Sequence, residues 1–368
     1  MNERIIGFDL ARAYAIFGMY IVNFIFCFGT FRNETLVAKF TNLFIGNSTS
    51  IFIICAGMGI MLLANRHNES VEDKRNLKSI LVKRSLFLFT LGILLYSWWP
   101  GDILHFYAGY MHIAIFILFI PKRNYLLIAL AFILIYNILQ IFIPIFTSWN
   151  LQTTKYADFW TPIGFFRNTL YNGWNSIFPW FAYFSVGMFL GKLNWQDKRI
   201  WKKLFLMGFC LLFIFKALRL YIIYDFENPL HQQFYIDSWF YLMEDYFPVN
   251  IPFMMITIGW ALMVISICMY LGVKFSSSKI ISMLSQTGKM SLSLYVFHIT
   301  IGMIILSVLT NKKYTGFPQT GVPIDSEFLL LYTIIFFFIS VVFSNMWSKK
   351  FKHGPLEMLM RKLSNSKI

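Results

Sequence analysis

Ten runs of about twenty mostly apolar residues divide this chain, at roughly 8–29, 43–65, 80–99, 102–121, 124–147, 174–192, 202–224, 248–272, 288–309 and 327–348. A helix rises about 1.5 Å per residue, so a run of this length matches the roughly 30 Å hydrocarbon core of a bilayer. Lipid offers no partners to backbone N–H and C=O groups, and a run that crosses it must be a helix that satisfies them internally. Of the 368 residues, 58% are hydrophobic and 13% charged, which leaves little chain for a soluble domain. The expected fold is an all-α polytopic bundle of about ten transmembrane helices in the cell membrane. It forms a single transmembrane domain over residues 1–368.

The net charge of +15 follows the same plan. With a cytoplasmic N-terminus, the inner segments carry 24 Lys and Arg and the outer loops six: Arg32, Lys39, Lys155, Arg167, Lys312 and Lys313. This is the positive-inside pattern, and it predicts both termini in the cytoplasm. It also explains the basicity without nucleic acid, because no basic patch interleaves with exposed aromatics in a soluble module. The first run lacks a small-residue cleavage site and reads as a retained anchor. Cys27, Cys55, Cys210 and Cys268 stand singly in apolar runs, without the paired spacing of a zinc site or disulfide framework, and read as packing residues. No internal repeat is visible, which weighs against a transporter built from duplicated halves. Two long outer loops, 148–173 and the acidic 225–247, suit an acceptor-binding surface. The segment 274–287 suits a short helix along the inner interface.

An ionisable group inside a membrane costs about 2.5–3.5 kcal/mol at a helix centre, so each needs a partner or a role. In "RIIGFDLARAYAIFGMYIVNF", Asp9 and Arg12 are three residues apart and meet on one helix face. Asn23 follows Arg12 by eleven residues. Eleven steps of about 100° return almost to the starting direction while rising about 16 Å. One face therefore carries a cation near the inner rim and an amide deep in the outer half.

"WWPGDILHFYAGYMH" sets Asp102, His105, Gly109 and His112 at i, i+3, i+7 and i+10, a stripe entering the fourth run from its outer end. A carboxylate beside an imidazole fixes its tautomer and raises its basicity. "PGD" equally suits a helix cap, and the two roles are compatible. "GKMSLSLYVFHITIG" puts Ser291, Tyr295 and His298 on one face of the ninth run, with His298 mid-membrane. Lys216 and Arg219 near the outer end of the seventh run either snorkel or attract an anion. No H-E-x-x-H metal motif or P-loop occurs, and "GMG" at 57–59 reads as close helix packing.

These segments, with "STSIFIICAGMG", "FPWFAYFSVGMFLGKL" and the tail "FKHGPLEMLMRKL", resemble the YeiB-like family of multi-pass membrane proteins. That family is similar to the heparan-α-glucosaminide N-acetyltransferases and, more distantly, to the third family of membrane acyltransferases. The resemblance implies transfer of an acyl group from cytoplasmic acetyl-CoA or another acyl-CoA, without a metal, to an extracytoplasmic acceptor. In the third acyltransferase family an Arg precedes a catalytic His by eleven residues, where this chain has Arg12 and Asn23. The heparan enzymes have an Asn at that place and a catalytic His eleven residues later, where this chain has Glu34. The Gly usual after the Arg is Ala13 here.

The expected site follows from both lines of reasoning. Arg12, Lys83 and Arg84 receive the CoA phosphates. Asn23 polarises the thioester carbonyl. His105 with Asp102, or His298, takes the proton of the acceptor. Expected partners are membrane lipid, acyl-CoA and a carbohydrate-like or small-molecule acceptor, and a homodimer is one expected assembly. The alternative is a transporter or flippase for a small amphiphile, with the same polar stripes lining its pathway.

Overall fold

The computed structural model describes residues 5–31, 35–67, 70–225, 242, 244–318 and 322–365. Glu34, Arg32 and most of the acidic segment 226–243 lie outside them. The chain is a multi-pass membrane protein, an all-α bundle whose one sheet among the described residues is a hairpin of two short strands, Trp149–Asn150 and Lys155–Tyr156.

Among the described residues, eight helical segments are long and apolar enough to cross a membrane. They are α1 (Ile6–Phe28); α2 with α3 (Leu36–Asn42 and Asn47–Arg66); α4 (Val71–Tyr96); α6 (Lys122–Phe142); α9 (Lys198–Asp225); α10 (Ile251–Lys274); α12 (Ser291–Thr310); and α13 (Ser326–Ser348). The predicted runs 102–121 and 174–192 instead form shorter helices, α5 (Leu104–Ile117) and α8 (Ile177–Gly191). At 14 and 15 residues they are about 21 and 22 Å long, less than the hydrocarbon thickness. Asp102 holds the start of α5 at Leu104, and Pro121 stands where the next helix begins. The expected inner-interface helix is α11 (Lys279–Lys289), and α14 (Pro355–Leu363) closes the described chain. The outer loop between α6 and α8 contains α7 (Pro162–Arg167).

α1 is the axis of the bundle and packs against α3, α10, α11, α12 and α13. Two thirds of its apolar stretch is buried, against 11% for α9, which touches chiefly α10 and is otherwise largely exposed. Lipid tails are as apolar as Leu, so helices here associate through close backbone approach more than through burial. Gly57 of the "GMG" motif serves this purpose. A Cβ on Gly57 would sit 2.1 Å from Phe184 O, and one on Gly187 would sit 2.1 Å from Ile54 O, so α3 and α8 cross backbone to backbone. Gly288 of α11 approaches the Asp9 carbonyl in the same way. Cys27, Cys55 and Cys268 are buried packing residues, while Cys210 is exposed on α9.

Replacing Gly57 or Gly187 by Leu should lower the thermal midpoint of detergent-solubilised protein, by at least the roughly 1–3 kcal/mol typical of an overpacked core. Leu127→Ala, on an exposed face of α6, should leave it unchanged. Melting followed by size-exclusion chromatography reads both.

Candidate functional site

One buried carboxylate stands where residues from the α5 and α12 stripes meet. Asp102, fully buried ahead of α5, accepts the backbone N–H of Leu104 (2.8 Å) and of His105 (3.3 Å) on Oδ2. The expected cap is thus present, made from two residues before the first helical position. The same oxygen faces His105 Nδ1 at 3.4 Å. Oδ1 accepts a hydrogen bond from Tyr295 Oη at 3.1 Å, and that hydroxyl in turn accepts the N–H of Ile103 at 3.2 Å. Gly92 of α4 makes room for the cluster, since a Cβ there would lie 2.4 Å from His105 N and 2.8 Å from Asp102 Oδ2.

His105 is buried, and its Nδ1 faces Asp102, so Nε2 is left as the lone-pair nitrogen. Nε2 has no hydrogen-bond partner among the described residues. A buried polar atom of this kind calls for a functional or structural account. Around it stand the rings of Phe106, Tyr96 and Phe159. Phe159 comes from the outer loop 148–173, which is ordered by Arg167: its guanidinium donates to Tyr156 Oη (2.9 Å), Ser148 Oγ (2.5 Å) and Asp158 Oδ2 (2.6 Å). Through Phe159 the loop packs against His105.

His298 sits where α12 widens into a π-helical turn, His298–Gly302, a distortion frequent at functional sites. It is fully buried. Its Nε2 meets Asn23 Nδ2 at 2.9 Å, and its Nδ1 faces Leu294 O at 3.4 Å. The network assigns the imidazole as neutral, donating from Nδ1 and accepting the Asn23 amide at Nε2. Tyr20 packs against the ring at 4.8 Å between centroids, with its hydroxyl 3.2 Å from Ser340 Oγ. Tyr295 touches His298 edge-on at 5.4 Å. A continuous chain of contacts therefore runs Asn23, His298, Tyr295, Asp102, His105.

The lower part of the α5 stripe takes no part in this chain, because His112 is exposed, bonds the Ala108 carbonyl of its own helix at 2.8 Å, and lies 3.5 Å from Ser85 Oγ. Tyr295 makes the link that His112 does not. At the inner end Arg12 donates to Asp9 Oδ1 (3.1 Å) and to the Cys55 carbonyl (3.4 Å), with Gly59 leaving space beside its guanidinium. Lys83 is exposed and Arg84 half-buried on α4, where Arg361 of α14 lies within electrostatic reach of Arg84. No described contact joins Arg12 to Lys83. Lys216 and Arg219 both pair with Glu244, the latter at 2.7 Å, which gives that outer-loop acid a structural role. Among the described residues no group of three His, Cys, Asp or Glu side chains could hold a metal.

One residue of the site region had no assigned role in the sequence reading, although it lies in the quoted "GPLE" segment. Glu357 in the first turn of α14 accepts Leu292 N (2.8 Å), Ser293 N (3.2 Å) and Ser293 Oγ (2.5 Å). Ser293 Oγ accepts Leu356 N in return at 3.0 Å. Unpaired N–H groups at a helix start favour an acceptor with negative charge. Glu357 thus caps α12, the helix that carries Tyr295 and His298. The signal for it was the isolated acid after Gly354-Pro355, but its target sixty-odd residues away is a tertiary fact.

Two family matches divide the chain. Residues 4–224 match a family described as heparan-alpha-glucosaminide N-acetyltransferase, catalytic. Residues 189–367 match a family described as a protein of unknown function, DUF418. Arg12, Asn23, Asp102 and His105 fall in the first match, and Tyr295, His298 and Glu357 in the second. No curated protein and no solved structure matches the chain.

Burial raises the carboxyl of Glu357 above its usual 4.5, against the hydrogen bonds from Ser293 and Leu292. A carboxyl with a raised folded value binds more protons folded than unfolded, so its contribution is greatest below 4.5 and is lost as pH rises through the folded value. Glu357→Gln should flatten that part of the melting-versus-pH profile while keeping an acceptor for the cap. Glu357→Ala, which strands two N–H groups, should cost about 1–3 kcal/mol at all pH values. Thermal melts from pH 4 to 8 check both, and a Gln variant with the parent profile would remove Glu357 as its source.

Proposed function

The chain belongs to the heparan-α-glucosaminide N-acetyltransferase catalytic family, and from this membership we propose that it moves an acyl group, chiefly acetyl, from cytoplasmic acyl-CoA to an extracytoplasmic hydroxyl or amine. The acceptor class is a sugar, glycolipid, wall polymer or secreted metabolite. The observation that carries the reading is the buried His105 Nε2, oriented through Nδ1 by Asp102 and without a partner among the described residues.

In this reading His105 is the base. Asp102 keeps the proton on Nδ1 and stabilises the imidazolium when Nε2 takes the proton of the acceptor hydroxyl or amine. The acceptor oxygen or nitrogen bonds to the acyl carbon as the carbon–sulfur bond of the thioester breaks. The proton held on Nε2 then passes to the departing thiolate, which leaves as free CoA. Asn23 gives one N–H to His298, so its second amide N–H remains to stabilise the oxyanion of the thioester carbonyl. His298 is thereby a positioning residue for Asn23, and Tyr295 ties that pair to Asp102. Arg12, Lys83 and Arg84 serve the CoA phosphates from the inner side. We read the whole chain as one ten-span domain with both termini in the cytoplasm, α5 and α8 completing their crossings through their flanking turns.

Purified protein should release CoA from acetyl-CoA in the presence of acceptor. His105→Gln should slow this by about 10²–10⁴-fold, and Asn23→Ala by about 10²–10³-fold. Full activity in His105→Gln protein with parental melting would sink the base assignment. Substrate counterflow in liposomes without thioester cleavage would favour the transporter. For topology, Glu3→Cys and Lys367→Cys should react with an impermeant maleimide only after the cells are permeabilised.

A further inference from the structure

The helix least involved in the bundle carries a separate feature. α9 meets α10 at Gly208 and Gly259, where each glycine lies against the other's carbonyl: a Cβ would sit 2.4 Å and 2.6 Å away, respectively. On the side of this crossing toward the start of α9 and the end of α10, the two helices bound a groove of about 610 Å³. The end of the groove at the start of α9 and the end of α10 carries Lys198, Lys202 and Lys274, and its other end is lined by Phe205, Leu206 and Ile267. The volume falls within the roughly 300–1,000 Å³ of ligand sites. From Lys198 to Leu206 is eight residues, about 12 Å along the helix, close to the roughly 15 Å hydrocarbon depth of one leaflet. Among the described residues none of the three ammonium groups meets a carboxylate. The neighbouring Asp197 instead accepts the N–H of Arg199 at 2.9 Å. Lys274 lies over the rings of Tyr270 and Phe275, 5.1 and 5.4 Å from their centres. Trp201 forms part of the floor, fixed by its N–H to Trp195 O at 3.0 Å.

We propose that this groove holds one anionic phospholipid, with its phosphate among Lys198, Lys202 and Lys274 and an acyl chain along Phe205, Leu206 and Ile267. The charge at the lysine end selects the headgroup, and the apolar end distinguishes a lipid from a soluble phosphate. The site is independent of the acyl-transfer reading, because α9 contributes no residue to the His105 and His298 cluster.

The test is native mass spectrometry of the full chain in detergent with dioleoylphosphatidylglycerol or dioleoylphosphatidylcholine added. The parent protein should retain one phosphatidylglycerol in clear excess over phosphatidylcholine. Each juxtamembrane lysine contributes roughly fivefold to an anionic lipid, so Lys198→Ala, Lys202→Ala and Lys274→Ala together should weaken retention by about tenfold or more. A control triple, Lys349→Ala, Lys350→Ala and Lys352→Ala, should not. Ile267→Trp, which fills the apolar end and keeps the lysines, should also lose the lipid, with an unchanged thermal midpoint confirming the fold. Equal retention of the two lipids, parental retention in the groove triple or in Ile267→Trp, or displacement by millimolar inorganic phosphate or CoA would each overturn the proposal.

Discussion

The Asp102 carboxylate is the point on which the arrangement of the site depends. A buried carboxylate is tolerable only when its lone pairs are filled, and here two backbone N–H groups, an imidazole and a phenol fill them. Each partner fixes something else: the N–H groups start α5, the imidazole gains a defined tautomer, and the phenol pins α12 beside α5. Removing the charge would leave Tyr295 and His105 without their common acceptor and would also loosen the start of a helix. The cap and the chemistry are one device, so a single substitution there disturbs fold and site together.

Around that device the bundle reaches its precision through glycine. Where α3 crosses α8, where α11 crosses α1, and where α4 passes the His105 backbone, a glycine lets main chain approach main chain. Such crossings fix helix position to within a fraction of an ångström because no side chain can adjust. The same feature makes the protein intolerant of small changes at residues that touch no substrate. α9 lies outside this network except at Gly208, which is why its remaining surface is free to take part in contacts with lipid.

Much of this was legible in the sequence. Among the described residues, eight of the ten apolar runs form helices long enough to cross a membrane and the other two form shorter apolar helices, because length and hydropathy decide what can cross a bilayer. Arg12 with Asp9, Asp102 as a cap, and Gly57 as a packing residue followed from helix spacing. Helical periodicity could not reveal which stripe meets which. His112 shares the stripe of His105, yet faces outward, because burial depends on neighbouring helices and not on the helix's own repeat. The pairing of Asn23 with His298, 275 residues apart, and the reach of Glu357 to Ser293 are likewise set by tertiary packing. The lengths of α5 and α8 were misjudged because a window of apolar residues does not register where a cap or a turn ends the helical backbone.

The cap that Glu357 places on α12 also has a consequence for how the protein is made. The helix bearing His298 is capped by an acid 65 residues beyond its Leu292, in the last helix described. As the ribosome delivers the chain from its first residue onward, Asn23, Asp102 and His105 are already in the membrane while the start of α12 still lacks its acceptor. A chain cut before α14 would hold most of the polar residues of the site without the acid that caps the helix bearing Tyr295 and His298.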